Sequence, residues 1–512
     1  MTTPPRDPVD KQSDDALVYG TPRARAVLVA TVLGSGLAQL DGTVVSVALP
    51  RIGADLGAGL TGLQWTVNAY TLVLAGLLLL GGSLGDRLGR RRIYILGVVW
   101  FTVASAGCSL APDAGTLIAM RALQGAGAAL LTPGSLAILQ ASFRPQDRST
   151  AVGAWSGLGG VATAIGPLVG GLLVGVAPWG WRLVFLINVP LAAIVIVLAR
   201  RYIPESRDTE AIGRLDYPGA VLACVSLAGI VYGLTEGPAT GWGTAATVAL
   251  VAGLVLLLVF LLVEARSTSP LLPLGLFRNP VFAATNGVTL VLYAALSGML
   301  FLLPVQLQVV AGFSPVAAGV ATLPITVVML LLSARMGRLA QRIGPRLPMT
   351  IGPLLAGGAM LWLSRIGADA TYLSSVLIPM VLFGLGLSFT VAPLTTTVLA
   401  AAPEHQVGVA SAINNDVARV AGLLAVAVLP GLAGLGPAAS TDPALFSAGY
   451  GRAVLIAGGL CALGGVLAFL TVPGRRGDAD GSASSGHPAA EGDDPALDCP
   501  ACPVSSPHIR PR

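Results

Sequence analysis

Apolar segments long enough to cross a bilayer recur along nearly the whole of this 512-residue chain. They fall at 26–50, 61–83, 93–111, 114–139, 149–175, 182–203, 215–235, 244–263, 281–303, 315–334, 348–364, 372–398, 406–430 and 452–472. A crossing helix needs about 20 predominantly apolar residues, so the pattern predicts fourteen transmembrane helices. Lipid leaves no other solution for such segments, because each must satisfy its own backbone hydrogen bonds. Charge content agrees: charged residues make up 11% of the chain, against about 25% in an ordinary soluble domain. That is too little to cover a soluble surface. The expected fold class is an all-α polytopic membrane protein, and a soluble enzyme is excluded.

The formal charge of +5 could suggest nucleic acid, but the basic residues stand in short clusters between apolar runs. Alternating the fourteen spans places Arg6, Lys11, Arg23, Arg25, Arg87, Arg90, Arg91, Arg92, Arg144 and Arg148 on one side. The same side receives Arg200, Arg201, Arg207, Arg214, Arg266, Arg278, Arg335, Arg338, Arg342, Arg346, Arg475, Arg476, Arg510 and Arg512, 24 in all. The other side holds only 4: Arg51, Arg182, Arg365 and Arg452. By the positive-inside rule both termini are expected in the cytoplasm, with the chain in the cytoplasmic membrane. Residues 1–25 form a polar tail without a cleavage site after the following apolar run, so the first span is expected to be retained.

Five cysteines give no disulfide framework, and Cys108, Cys224 and Cys461 lie inside apolar runs. Residues 473–512 read as a disordered cytoplasmic tail. Cys499 and Cys502, near His487 and His508, make one weak metal or redox pair, and no metal or other cofactor is expected.

The chain repeats itself at an offset of 255: Gly82/Gly337, Leu84/Leu339, Arg87/Arg342, Gly89/Gly344 and Arg91/Arg346 all pair. The expected organisation is a six-helix bundle at 26–203, a linker with two inserted helices at 204–263, and a second six-helix bundle at 264–472. Two like halves are the architecture of an alternating-access carrier with its site at the repeat interface.

Several motifs resemble the major facilitator superfamily. The run GSLGDRLGRRR at 82–92 resembles its signature loop, with Gly82, Gly85, Asp86, Arg87, Gly89, Arg90 and Arg91 as gating residues. The resemblance implies that this loop latches the halves and acts on conformational exchange. RALQGAGA, starting at Arg121, resembles the second motif, which implies a part for Arg121 in proton coupling, with a purely structural ion pair as the alternative. LDGTVVSVALP at 40–50 resembles the first-span motif of the fourteen-helix drug:proton antiporters, with Ser46 where that branch often has Asn. Asp41 and Arg121 fall about 13 and 10 Å below the same surface at 1.5 Å rise per residue, so a pairing is inferred. Carboxyl groups at such depth are common proton relays.

Ala164 to Gly171 resembles the antiporter motif, carried by Gly166, Pro167, Gly170 and Gly171. Trp181-Arg182, Asn188 and Pro190, the segment Leu215 to Gly219, and PLLPLGLFRNPVF at 270–282 also match the fourteen-helix branch. In the thirteenth span, Asp416 and Arg419 lie three apart on one helix face and near the midplane. An acid–base pair there is a functional candidate, with a self-neutralised structural pair as the alternative. Glu236 reads as a solvated loop residue.

The favoured expectation is a proton-coupled exporter of an amphipathic or cationic small molecule, with the proton gradient as energy source. A dedicated exporter of an antibiotic, lipid or siderophore is the alternative, and a proton symporter is less favoured. A membrane enzyme would need a nucleophile–base pair or metal ligands at depth, and the one histidine near a span, His405, sits at its end. Without a P-loop, ATP-driven pumping is not expected. Nucleic acid is not an expected partner, and the oligomeric state is not legible.

Overall fold

A computed structural model describes residues 16–207, 216–267, 270–440 and 442–474. Lys11 and the Cys499/Cys502 pair with His487 and His508 lie outside the described residues. The first half contains α1 (Pro22–Leu56), α2 (Leu60–Leu88), α3 (Arg90–Ser109), α4 (Ala114–Ser142), α5 (Pro145–Gly175), α6 (Trp181–Leu186) and α7 (Asn188–Tyr202). Two helices follow, α8 (Tyr217–Thr240) and α9 (Thr244–Arg266). The second half contains α10 (Pro280–Val305), α11 (Pro315–Ala321), α12 (Leu323–Ile343), α13 (Arg346–Leu363), α14 (Ile378–Ala400), α15 (Val407–Leu432) and α16 (Pro443–Thr471). Among the described residues the only β-pairing is an isolated bridge between Leu17 and Phe143.

Twelve described helices are long and apolar enough to cross a membrane, or thirteen if the bent pair Leu60–Leu78 and Leu80–Leu88 counts as one span. This is short of the fourteen expected. The segment that falls outside is α13, whose 18 residues open on Arg346 and include Pro348 and Pro353. Helix boundaries follow local chemistry. Pro22, Pro145, Pro280, Pro315 and Pro443 each open a helix, a position whose N–H would be unpaired anyway. Thr21, Asp113, Asn279, Ser314 and Asp442 cap helix starts through side-chain oxygens, which satisfies exposed N–H groups.

Two boundaries differ from the sequence reading. Helix α1 runs through Pro50 to Leu56 and ends on Gly57 at φ 64°, because one internal proline removes a single ladder bond. Helix α2 continues through Gly82, Gly85, Asp86 and Arg87 to Leu88, so the expected loop is mostly helix. The turn is made at Gly89 alone, at φ 115°, where a side chain would be strained. Its repeat partner Gly344 also has positive φ, 88°. The likeness extends to the arginines at the same offset. Arg91 Nη1 donates to Ile203 O at the end of α7 at 3.1 Å, and Arg346 Nε donates to Phe469 O in the last turn of α16 at 2.7 Å. Part of the expected N-terminal tail is held too: Leu17 N donates to Ser142 O at 2.8 Å and Tyr19 N to Asp147 Oδ2 at 2.9 Å.

The apolar core is distributed unevenly. At the end opposite the Gly89 turn, one cluster includes Val44, Leu49 and Phe185 of the first half and Leu302, Phe383 and Tyr450 of the second. At the Gly89 end the halves have separate cores. One contains Ala24, Tyr94, Leu139 and Ala199, and the other Phe282, Met349, Leu394 and Ala468. The halves are therefore joined through apolar burial at one end. Helices α8 and α9 pack on each other, and α8 lies against both α2 and α15, across the seam between the halves.

Candidate coupling site and the seam between the halves

Asp41 on α1 and Arg121 on α4 are 0% and 1% exposed, and Arg121 Nη1 donates to Asp41 Oδ2. An isolated ion pair at this depth is costly, and it persists when the remaining polar atoms are also bonded. Gln124, one turn after Arg121, supplies much of that bonding. Its Nε2 donates to Asp41 Oδ1 at 2.9 Å, while its Oε1 accepts from Arg121 Nη1 at 2.7 Å. Asn188 at the start of α7 donates through Nδ2 to Asp41 Oδ1 at 3.3 Å and to Ser105 Oγ at 2.9 Å. Arg121 Nε donates to Thr66 O at 3.0 Å, and the guanidinium stacks over Tyr70 with 4.3 Å to the ring centroid. Five helices thus meet at one carboxylate and one guanidinium. Ser46 takes no part: its hydroxyl turns to Gly42 O of its own helix at 3.5 Å.

Among the described residues the second half offers no buried ion pair like this one. Asp416 and Arg419 on α15 are each half-buried and form no ion pair with each other. A spacing of three brings two Cβ atoms to one face, but long side chains on that face can still diverge. Arg419 lies within electrostatic range of Tyr70 in the first half, and Asp416 Oδ1 has no hydrogen-bond partner. The two charges remain within electrostatic range of each other but make no direct contact. Asn414 bonds instead to α10, donating to Asn286 Oδ1 at 3.0 Å and Thr289 Oγ1 at 2.8 Å.

The glycine motif of α5 lies on the seam. Gly166 and Gly170 pack on α1, where an added Cβ would come within 2.0 Å of Thr43 Oγ1 and 3.0 Å of Val44 O. Gly171 faces the other half, where a Cβ would come within 2.5 Å of Pro315 O on α11. The contact is mutual, since a Cβ on Gly319 would lie 2.2 Å from Pro167 O. These glycines let two backbones from different halves touch, and α5 runs unbroken through Pro167.

Contacts inside the first half hold the 82–92 segment. Asp86 pairs with Arg90 one turn later, at 2.8 Å to Nη2. Glu205, after α7, accepts from Arg91 N at 3.1 Å and faces the Arg91 and Arg92 guanidinium groups at 3.7 Å. Arg87 occupies the last turn of α2. Glu236 is not a loop residue: it lies within α8, half-buried, and accepts from Trp65 Nε1 at 2.8 Å.

The sequence reading singled out Asp41 and Arg121 but missed Gln124, Asn188, Ser105 and Glu205. Gln124 and Asn188 stand inside motifs already noted, so their positions were available. Their neutral side chains give no charge signal.

Comparison with known proteins places this geometry. The sequence matches the description of the Major Facilitator Superfamily over residues 31–216 and 217–427. It is 38% identical over 482 residues to the puromycin resistance protein of Streptomyces alboniger, covering 90% of this chain and 94% of that one. It is 37% identical over 404 residues to the tetracenomycin C resistance and export protein of Streptomyces glaucescens, covering 78% and 74%. In fold it resembles a bacterial homologue of the human lysosomal transporter Spinster, crystallised inward-facing and unoccupied. The TM-score is 0.65 at 18% identity, over 88% of this chain and 97% of that one. Two helical halves joined through one end, a buried carboxylate–guanidinium pair and similarity over most of the chain to resistance and export proteins lead to one conclusion: the chain belongs to the major facilitator superfamily and is a membrane transporter, not an enzyme.

Proposed function

We propose that the chain exports antibiotic-like amphipathic or cationic small molecules in exchange for protons, by alternating access. The observation that carries this reading is Asp41, a fully buried carboxylate whose oxygens accept from Arg121, Gln124 and Asn188. Protonation of Asp41 removes the charge that holds α1 to Arg121. Arg121 then keeps Gln124 Oε1, Thr66 O and the Tyr70 ring, but its buried charge loses its counter-ion, so the proton both loosens the α1 contact and drives the surrounding helices to rearrange. Proton uptake favours the return to the inward-facing state, and drug binding favours the deprotonated carrier. Asp416, with an unpaired oxygen at the seam, is a second acceptor, and Arg419 tunes it. No bound cofactor takes part; the proton gradient supplies the energy.

Orientation follows from the arginines. The Gly89 end carries the basic clusters and faces the cytoplasm, so both termini are cytoplasmic and the shared core closes the outer side. On this reading α13 crosses as well, packed between α14 and α16, and the count is fourteen. The bundles at 26–203 and 264–472 rock against each other, with 204–263 as the inserted pair. The names of the relatives, one for puromycin resistance and one for tetracenomycin C resistance and export, support an antibiotic as substrate. The same names favour a second reading, dedicated export of one product.

The test uses everted vesicles with a respiratory proton gradient and puromycin as probe. Accumulation that collapses with the pH gradient, accompanied by proton release from the vesicle lumen, is expected. Accumulation indifferent to the gradient would contradict proton exchange. A panel of unrelated dyes and antibiotics then separates broad export from dedicated export.

A further inference from the structure

Beyond the glycine contact, two glutamine side chains hydrogen-bond across the halves at the end where they share a core. Gln64 on α2 is 4% exposed, and its Nε2 donates to Val426 O at 2.7 Å and Ala427 O at 3.3 Å, both on α15. Gln308, just past α10, donates through Nε2 to Val47 O on α1 at 2.9 Å. A carbonyl inside a helix is normally taken by the N–H four residues on. For Val426 that position is Pro430, which lies within α15 and has no N–H to give. The proline leaves a buried acceptor free on one half, and a glutamine of the other half fills it.

We propose that Gln64 is the reversible latch of the outer gate, with Pro430 creating its docking site and Gln308 as an independent second fastening. Gln64 is a positioning residue: it sets the fraction of carriers closed on the outside and touches neither proton nor substrate. Reversibility comes from the surroundings. A cavity of about 160 Å³, lined by Gln64, Thr235, Ala427, Pro430 and Gly431, adjoins the bond. As the halves part, water entering there replaces both partners, so opening does not strand a dry amide or carbonyl. A buried ion pair in the same place would resist separation far more.

This inference rests on the reading that the shared core faces outward, and its test needs no substrate. Ala48, 0% exposed within the shared core, is replaced by cysteine as a reporter. Right-side-out vesicles are treated with a membrane-impermeant maleimide, and modification at position 48 is followed by mass spectrometry. Gln64→Met is expected to raise the labelling rate about five- to tenfold, the scale of one lost interior hydrogen bond. Pro430→Ala, which gives Val426 O a donor within α15, is expected to raise it similarly, and the double variant no further. Gln308→Met is expected to multiply with Gln64→Met, because it breaks a different bond. Unchanged labelling in an inserted Gln64→Met carrier would overturn the latch, as would effects of Gln64→Met and Pro430→Ala that multiply. Should Gln64→Met fail to insert, Pro430→Ala reads the same bond from its other end. An increase confined to inside-out vesicles would overturn the outward assignment of this end, and with it the outer latch.

Discussion

The two halves share a fold and a turn motif but treat charge in opposite ways. In the first half, Asp41 and Arg121 are buried to 0% and 1% exposure and tied into bonds with Gln124, Asn188 and the Thr66 carbonyl. In the second half, Asp416 and Arg419 sit half-buried on α15 without pairing. The difference teaches a division of labour. On the proposed mechanism, a dry, fully bonded carboxylate converts one proton into a change of helix contact. A carboxylate with an unpaired buried oxygen at the seam answers, on the same mechanism, to a substrate or a proton when the halves move. The same asymmetry appears in the repeated turn, where Asp86 pairs with Arg90 in the first half but its counterpart at offset 255 is the neutral Gln341.

The largest effect that would sharpen this contrast is on stability. Asp41→Asn leaves the Arg121 guanidinium buried without its counter-charge, a loss of about 3–5 kcal/mol for a buried pair. Asp41→Asn combined with Arg121→Gln is expected to recover most of that loss. Thermal unfolding in detergent reads both, and additive losses would show that the pair is not energetically coupled.

Next in size is the seam. Gly171→Leu forces α5 away from Pro315 on α11, an overpacking of about 1–3 kcal/mol that acts only in the state where these two helices touch. Export is expected to fall roughly ten- to a hundredfold, by the usual tenfold per 1.4 kcal/mol, with the insertion level unchanged. Vesicle transport with a western blot of the membrane fraction checks it. Asp416→Asn removes the charge of a carboxylate whose Oδ1 is buried without a hydrogen-bond partner, so it is expected to leave the unfolding temperature unchanged or raise it, in contrast to Asp41→Asn. If its loss in stability equalled that of Asp41→Asn, the contrast between the halves would fail. The smallest loss belongs to Asp86→Asn, whose i,i+4 pair with Arg90 is partly exposed and worth about 0.3–0.5 kcal/mol. Only a small change in unfolding temperature is expected.

Much of the fold was legible because lipid forces each span to declare itself in about 20 apolar residues. The count is less secure where a segment mixes Arg346 with two prolines, as in α13. The offset of 255 was more informative than it looked, since Gly89 and Gly344 both adopt positive φ. The site was half legible. Charged residues at depth stand out against apolar surroundings, so Asp41 and Arg121 were found, and depth alone brought them together. Their neutral partners were silent: Gln124, Asn188 and Ser105 matter only through the directions in which three helices point them. Asp416 and Arg419 show the converse failure, because sharing a helix face does not make two side chains meet.

The most direct test is transport by Asp41→Asn carrier, alone and with Arg121→Gln, reconstituted in liposomes with puromycin as probe. Two modes are compared: uphill transport driven by an imposed pH gradient, and exchange of labelled for unlabelled compound at equal pH. If Asp41 carries the coupling proton, uphill transport is lost while exchange persists. Uphill transport at the unmodified rate in the mutant would contradict that role outright.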